Sequence, residues 1–537
     1  MRTPRPFQLL LAIAVGAGCG STHLGERQDE VVDSSAYHAL PEVSLLPPLA
    51  LPRAVTVAFD PSLTQFLDVR VCALAGDACA GAPLALLDGA QGAVVLMPDG
   101  YAAQWNIGAT SLPAGQKLRV AVELDSLVLA SIDVDVTSDG KQLHTVLTDE
   151  LLSNTNRTLP VHFWIGRTPA IATHALHAAG KTATEIANVL ATEFSLAAPE
   201  VAGLLAGDKF TAVEVGTAMQ VVFALAAQPT AAILDDVGFD TNAIALAMKD
   251  VFALTAQVTA QILDGLGAIT NDIATAMKTV FELQADATAA VLKGIGKVAT
   301  QIATAMKDVF ELQAQATAAV LEGIGMVATE IATAMKDVFL LTADATAAVL
   351  KGIGMVATEI ATAMKDVFVL TAEATATVLK GIGMVAIEIA TAMKDVFDLT
   401  AQATAAVLKQ VGLLAIEIGN AMKQVFDLTV QATADVLKGI GYLAIETAQV
   451  IEDLWNLTTQ ATADALAAVG YAFNDIADAL GQVFGIAWDE IVGLLDAAGA
   501  GIDAIVEAVA HLLNITNEEA GALICFTIPF YCPAIVF

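Results

Sequence analysis

The twelve residues ATEIATAMKDVF occupy 328–339 and return unchanged at 357–368, 29 residues later. A fixed period of this length marks a repeat array, in which one supersecondary unit stacks on copies of itself. Steps of 29 from Phe339 land on Phe194, Phe223, Phe252, Phe281, Phe310, Phe368, Phe397, Phe426, Trp455 and Phe484, and Leu513 closes the series. A second register holds methionine at each step from Met219 to Met422, and a third holds glycine at each step from Gly238 to Gly499. Twelve phases therefore fill 183–524.

One unit reads LLTADATAAVLKGIGMVATEIATAMKDVF, 340–368. Thr342 is a good N-cap and Asp344 suits the positive start of a helix. That helix runs to about Gly352, and Gly354 ends it in the left-handed conformation. A second helix spans about 357–368, with Val356, Ile360, Met364, Val367 and Phe368 on one face at spacings of three and four. The unit is a short αα-hairpin, and stacking hides each Phe and Met against the next unit, which predicts an α-solenoid. A single long amphipathic helix competes, because 29 residues make about eight turns and no proline stands between Pro229 and Pro529. Two glycines per unit, each costing about 1 kcal/mol in a helix interior, argue for the hairpin. Asp240 and Thr211 stand two places after the glycine phase, where N-caps belong; in the middle units Val replaces them and weakens the cap.

Hydrophobic residues make up 56% of the 537, and the net charge is −33. That sign excludes phosphate neutralisation in the manner of nucleic-acid binders and a polybasic membrane patch. Two stretches come near to a membrane span of about 20 apolar residues. Pro229 interrupts 215–234, which lies in phase with the repeats, and the last 18 residues carry two prolines and two cysteines. Neither reads as a span.

The opening MRTPRPFQLLLAIAVGAGCGS has Arg2 and Arg5 before an apolar core at 7–15 and small residues before Cys19. This reads as a secretory signal over 1–18. The small-small-Cys ending resembles a bacterial lipoprotein signal, although Gly16 stands where that family has Leu. The resemblance implies lipid on Cys19, a lipid anchor to a membrane, and an outer-membrane or cell-surface address, since Gly20 is not the Asp of inner-membrane retention. Residues 19–52 then read as the lipidated N-terminus and a Pro-rich tether. With Cys19 lipidated, the other four cysteines fall into two close pairs, Cys72 with Cys79 and Cys525 with Cys532. Two short-range disulfides fit an exported chain, the second pinning a tail over 525–537.

Residues 53–168 change texture. KLRVAVELD (117–125), IDVDV (132–136) and LPVHFWI (159–165) alternate apolar with polar or small residues, the period of half-buried strands. PDG, PAG and SDG turns separate such runs, which suggests an antiparallel β-sandwich. The run RVAVELDSLVLASIDVDVTSDGKQLHTVLTDE, followed by RTLPVHFWIG, resembles an Ig-like β-sandwich module near the N-terminus of secreted, often lipid-anchored proteins of myxobacteria-like bacteria. The likeness implies an exported multidomain protein and carries no activity. Residues 169–182 read as a linker. The predicted fold class is an antiparallel β-sandwich followed by an all-α solenoid of 29-residue αα-hairpin repeats.

No catalytic pattern of the GxSxG, HExxH, P-loop or GxGxxG kind is present. His174 and His177 share a helix face but lack a third metal ligand in sequence. Asp133 and Asp135 read as the wet side of a strand, Trp105 and Trp164 as sandwich packing, and the methionines as core filler. Periodic charge remains. Lys307, Lys336, Lys365 and Lys394 belong to a ladder from Lys249 to Lys423, and Glu330, Glu359 and Glu388 to one ending at Glu446. Such rows form either a binding stripe for an extended partner or a solvated face copied by duplication. The expectation is a non-enzymatic, lipid-anchored scaffold or adhesion protein with no cofactor and no metal, binding a protein or surface ligand. The alternative is a membrane-acting, pore-forming or toxin-like protein whose amphipathic repeats insert.

Overall fold

The computed structural model describes residues 37–50, 56–110, 112, 114–138, 142–145, 151–154 and 157–534, in two compact units that meet in sequence at Lys209 and Phe210.

The first unit opens with eleven strands among the described residues: β1 (Tyr37–Ala39), β2 (Val43–Leu45), β3 (Leu67–Ala75), β4 (Ala78–Asp88), β5 (Val94–Met97), β6 (Gly100–Asn106), β7 (Lys117–Leu124), β8 (Leu127–Val136), β9 (Gln142–Thr145), β10 (Leu151–Asn154) and β11 (Thr158–Ile165). One sheet runs β10-β9-β8-β7-β3-β4 with β1 also on β8; the other runs β2-β11-β6-β5. Every pairing is antiparallel, as Val120 against Ile132 and Phe163 against Tyr101 illustrate. The alternating residues supply the shared core: Leu118, Val120, Val122, Ile132, Val134, Val161, Phe163 and Ile165 are fully buried with Trp105 and Tyr101. Cys72 and Cys79 form the predicted disulfide beside the β3–β4 turn.

Three segments depart from the sequence expectation. The tether predicted over 19–52 gives its last part to the sandwich, because Tyr37 pairs with Ile132 and Leu45 with Phe163. Strands of three residues are too short to show a period against that Pro-rich background. Asp133 is not on a wet side: it is buried in a bidentate ion pair with Arg119 (2.8 and 3.0 Å). Residues 169–182 are not a linker, since α1 (Pro169–Ala178) starts at the Thr168 cap and buries Ile171 and Ala175 in the sandwich core. Two further helices, α2 (Ala183–Glu193) and α3 (Ala198–Gly207), complete the first unit. Gly180, Lys209 and Gly238, one period apart, all have positive φ, so α1 is the first helix of the array.

The second unit is the solenoid, an unbroken alternation of helices of 10–12 residues. In the 340–368 unit, Thr342 accepts the Ala345 N–H at 3.4 Å and caps the helix Ala343–Gly352. Gly354 has φ 91°, and its N–H and that of Met355 donate to the carbonyls of Lys351 and Leu350 at 2.9 and 3.1 Å. This closure of the orphan carbonyls ends the first helix and rules out an uninterrupted rod. The second helix runs Ala357–Asp366. Another left-handed residue follows each second helix, among them Leu340 and Val369.

First helices pack on first helices and second on second, so each hairpin hides its apolar face on its neighbours. Ile360, Ala361, Ala363 and Met364 are fully buried, and Met219, Met248, Met277, Met306, Met335, Met393 and Met422 are likewise. Each Ile or Met contributes roughly 1.5–3 kcal/mol, and alanine lets the helices approach. The phenylalanine register does not fill the core as expected. Phe339, Phe368 and Phe397 are only half-buried, each under a lysine of the preceding repeat. A threonine column replaces them inside. Thr230, Thr259, Thr288, Thr317, Thr346, Thr375, Thr404, Thr433 and Thr462 are fully buried, with no hydrogen-bond partner for their hydroxyls among the described residues.

The helix Asn517–Thr527 follows the last hairpin, and Thr516 and Glu519 form a capping box at its start (3.2 and 2.8 Å). Cys525 lies in this helix. The Cys532 side chain, and with it the second predicted disulfide, lies outside the described residues, as does Cys19.

Candidate interaction surface

The ends of the helices decide which residues the array uses on itself and which it presents. The last carbonyls of a helix have no partner within it. Lys307, Lys336, Lys365 and Lys394 donate to the carbonyls of Val338, Val367, Val396 and Val425 in the next repeat, at 2.9, 2.8, 2.7 and 2.8 Å. Each ammonium also lies 5.3–5.4 Å from the ring centre of Phe339, Phe368, Phe397 or Phe426. A cation at a helix C-terminus and over a ring is favourable on both counts. This ladder is a tie between repeats.

The glutamate ladder has a local task. Glu330, Glu359 and Glu388 accept the N–H of Val327, Val356 and Val385 at 3.0, 2.9 and 2.9 Å. Each carboxylate is the N3 half of a capping box at the positive end of its helix. Neither ladder is a stripe of unengaged charge.

A second lysine row serves the first helices. Lys351 donates to the carbonyls of Ile382 and Gly383, the latter at 3.1 Å, and Lys293, Lys380, Lys409 and Lys438 do the same one repeat ahead of themselves. They close the C-termini of the first helices beside the left-handed glycine. A recurring Leu-Lys pair, followed by Gly at all but Lys409, marks this row in the sequence.

Among the described residues of the array, the N-cap row of the second helices stays unengaged in most repeats. Its first members cap in the ordinary way: Thr182 and Thr211 accept the N3 N–H at 3.3 Å, and Asp240 does so at 2.8 Å. In the next seven repeats the position holds Ile269, Val298, Val327, Val356, Val385, Leu414 and Leu443, none of which can accept that bond. These side chains are 57–66% exposed. An aliphatic N-cap is disfavoured, and an aliphatic side chain gains nothing from water. Their identities vary among Ile, Val and Leu, whereas the left-handed position after the second helix ranges over Ala253, Glu282, Glu311, Leu340, Val369, Asp398 and Asn456. Copying alone does not restrict one row and free another. A row of exposed aliphatic side chains repeated in seven successive repeats is a candidate interaction site.

In the first unit, His174 and His177 meet on Asp208, with Nδ1–oxygen distances of 2.5 and 2.6 Å. His174 Nε2 also lies 2.8 Å from the Leu124 carbonyl oxygen. Acceptors on both sides require both ring nitrogens to carry protons, so His174 is an imidazolium. Burial is the largest single influence and works against that charge, but the bond to Asp208, its negative charge and the Leu124 and Asp125 carbonyls together outweigh it, and the pKa is raised. The cluster fastens α1 and α3 to the end of β7. Among the described residues, no group of three or more His, Cys, Asp or Glu side chains is placed to hold a metal ion.

No protein-family model matches the chain, and a search of curated proteins finds none significantly similar to it.

Proposed function

We propose that the chain is an exported scaffold or adhesion protein, lipid-anchored through Cys19 at the outer membrane or cell surface, that presents the aliphatic edge of its helical array to a protein or surface ligand. One observation carries this reading: seven consecutive repeats give up a side-chain cap and expose an aliphatic residue in its place. A surface with no ligand loses stability by that exchange and gains nothing. The disulfide between Cys72 and Cys79 supports an oxidising compartment. The role is binding, not catalysis. Among the described residues, no helix is long and apolar enough to cross a membrane.

The test compares adhesion of cells displaying the full chain with cells displaying Val327→Thr, Val356→Thr and Val385→Thr together. These changes remove exposed aliphatic surface while completing the capping box that Thr211 and Glu214 already form. Loss of adhesion with the helical content intact supports the reading; undiminished adhesion refutes it. Dye release from liposomes by the purified chain would point instead to a membrane-acting protein.

A further inference from the structure

In four of its seven repeats the aliphatic edge is flanked on both sides by charge, in one order. At Val385 the Lys351 ammonium sits on the first-helix side, at the carbonyls of Ile382 and Gly383, and Glu388 sits on the second-helix side, at the Val385 N–H. The same basic–aliphatic–acidic order recurs with Lys293, Val327 and Glu330, with Lys380, Leu414 and Glu417, and with Lys409, Leu443 and Glu446. At Ile269, Val298 and Val356 the basic position holds Asp235, Asp264 and Glu322 instead, and at Val298 the acidic position holds Gln301.

Resting on the presentation reading above, we propose that a second copy of this chain docks on the edge, in parallel, about a two-fold axis running along the aliphatic row. Rotation about that axis turns the copy over and exchanges its left and right flanks. At Val327, Val385, Leu414 and Leu443 the lysine of one chain then faces the glutamate of the other on both sides, and along the whole row aliphatic residues meet their own counterparts on the axis. An axis across the row makes the chains antiparallel and sets lysine against lysine and glutamate against glutamate. A ligand of one sign meets one matching and one opposing row, whereas a parallel copy meets two matching rows. The chains also run in the same direction, as two chains tethered to one membrane must.

Size sets the character of the contact. The exposed aliphatic row offers on the order of several hundred Å², the scale of a functional patch but less than the roughly 800 Å² per partner of a stable interface. The flanking charges therefore belong to the contact, and association is reversible and weakened by salt.

Sedimentation velocity of the full chain tests this directly. The expected result is a weight-average mass that rises with concentration from the 55.3 kDa of one chain towards twice that value, and that falls back when salt is raised. The triple threonine variant stays monomeric throughout with unchanged circular dichroism. Single variants Val327→Cys, Val385→Cys and Leu443→Cys each cross-link to themselves under oxidation above the background of the parent chain. A parent chain monomeric at every concentration overturns the proposal, and so does cross-linking at one position alone, the mark of an antiparallel pair. Should the parent be monomeric while the threonine variant still abolishes adhesion, self-pairing fails and presentation stands. Should adhesion also be unaffected, both fall.

Discussion

Replacing Val356 by threonine is expected to stabilise the array, although it places a more polar residue in a protein that is mostly hydrophobic. Val356 is the N-cap of the helix Ala357–Asp366 and is 57% exposed. Its N–H already donates to Glu359 at 2.9 Å, so half of a capping box exists. The other half, an acceptor for the Glu359 N–H, is missing because valine has no side-chain oxygen. Threonine supplies it, as Thr211 does for the Glu214 N–H at 3.3 Å. An N-cap acceptor contributes about 1 kcal/mol within a range of 0.5–2, and little burial is forfeited. The gain corresponds to roughly fivefold less frequent local opening of the first turn. Amide hydrogen exchange at Glu359, parent against V356T, reads that opening without requiring two-state unfolding of a long array. Slower exchange at this amide, with distant repeats unchanged, is the predicted result. Unchanged or faster exchange, or a fall in overall stability, would show that Val356 packs against something, and the idea of a surrendered cap would be wrong.

Other perturbations test the rest. Lys336→Met removes the donor to Val367 and the cation over Phe368, and because the lysine is exposed the expected loss is only about 1 kcal/mol, seen as faster exchange at the end of the helix Ala357–Asp366. Thr346→Val replaces a buried, unpartnered hydroxyl by a methyl of similar size, and is expected to add about 1 kcal/mol of stability, read as a higher denaturation midpoint, where a fall would reveal a hydrogen bond. Burial, above all, raises the Tyr101 phenol to about 12. The unfolded tyrosine ionises near 10, so the native state holds more protons between the two values and sandwich stability falls as pH rises through that window, by about 2–3 kcal/mol. Tyr101→Phe should flatten that fall in pH-dependent denaturation.

Features that one repeat contains were legible in its letters. Thr342, Gly354, Ile360 and Met364 took the predicted roles because cap, stop and buried face are settled within a single hairpin. In the sandwich, the alternation at Leu118 to Leu124 and Val161 to Ile165 located the core in the same way. Roles set by a neighbouring repeat were not legible. Phe368 resembles core within its own helix, yet the lysine above it lies in the preceding unit. Glu359 reads as solvated until its bond to Val356 is seen, and that bond leaves the aliphatic cap as the unexplained residue. Asp133 looks wet on an alternating strand because Arg119, which covers it, belongs to the adjacent strand. The α1 segment was missed because the Met and Phe registers lie on second helices, so a first helix is marked only by its stop, here Gly180.

Hydroxyl-radical footprinting of the full chain tests the central claim most directly, since it reads the two faces of the array at once. In the dispersed chain the account predicts ready labelling of Leu414 and Leu443 and slow oxidation of Met335, Met364 and Met393. On association or adhesion the leucines become protected while the methionines stay as they were. Leucines protected in the isolated chain, or still fully labelled in the bound one, would contradict it.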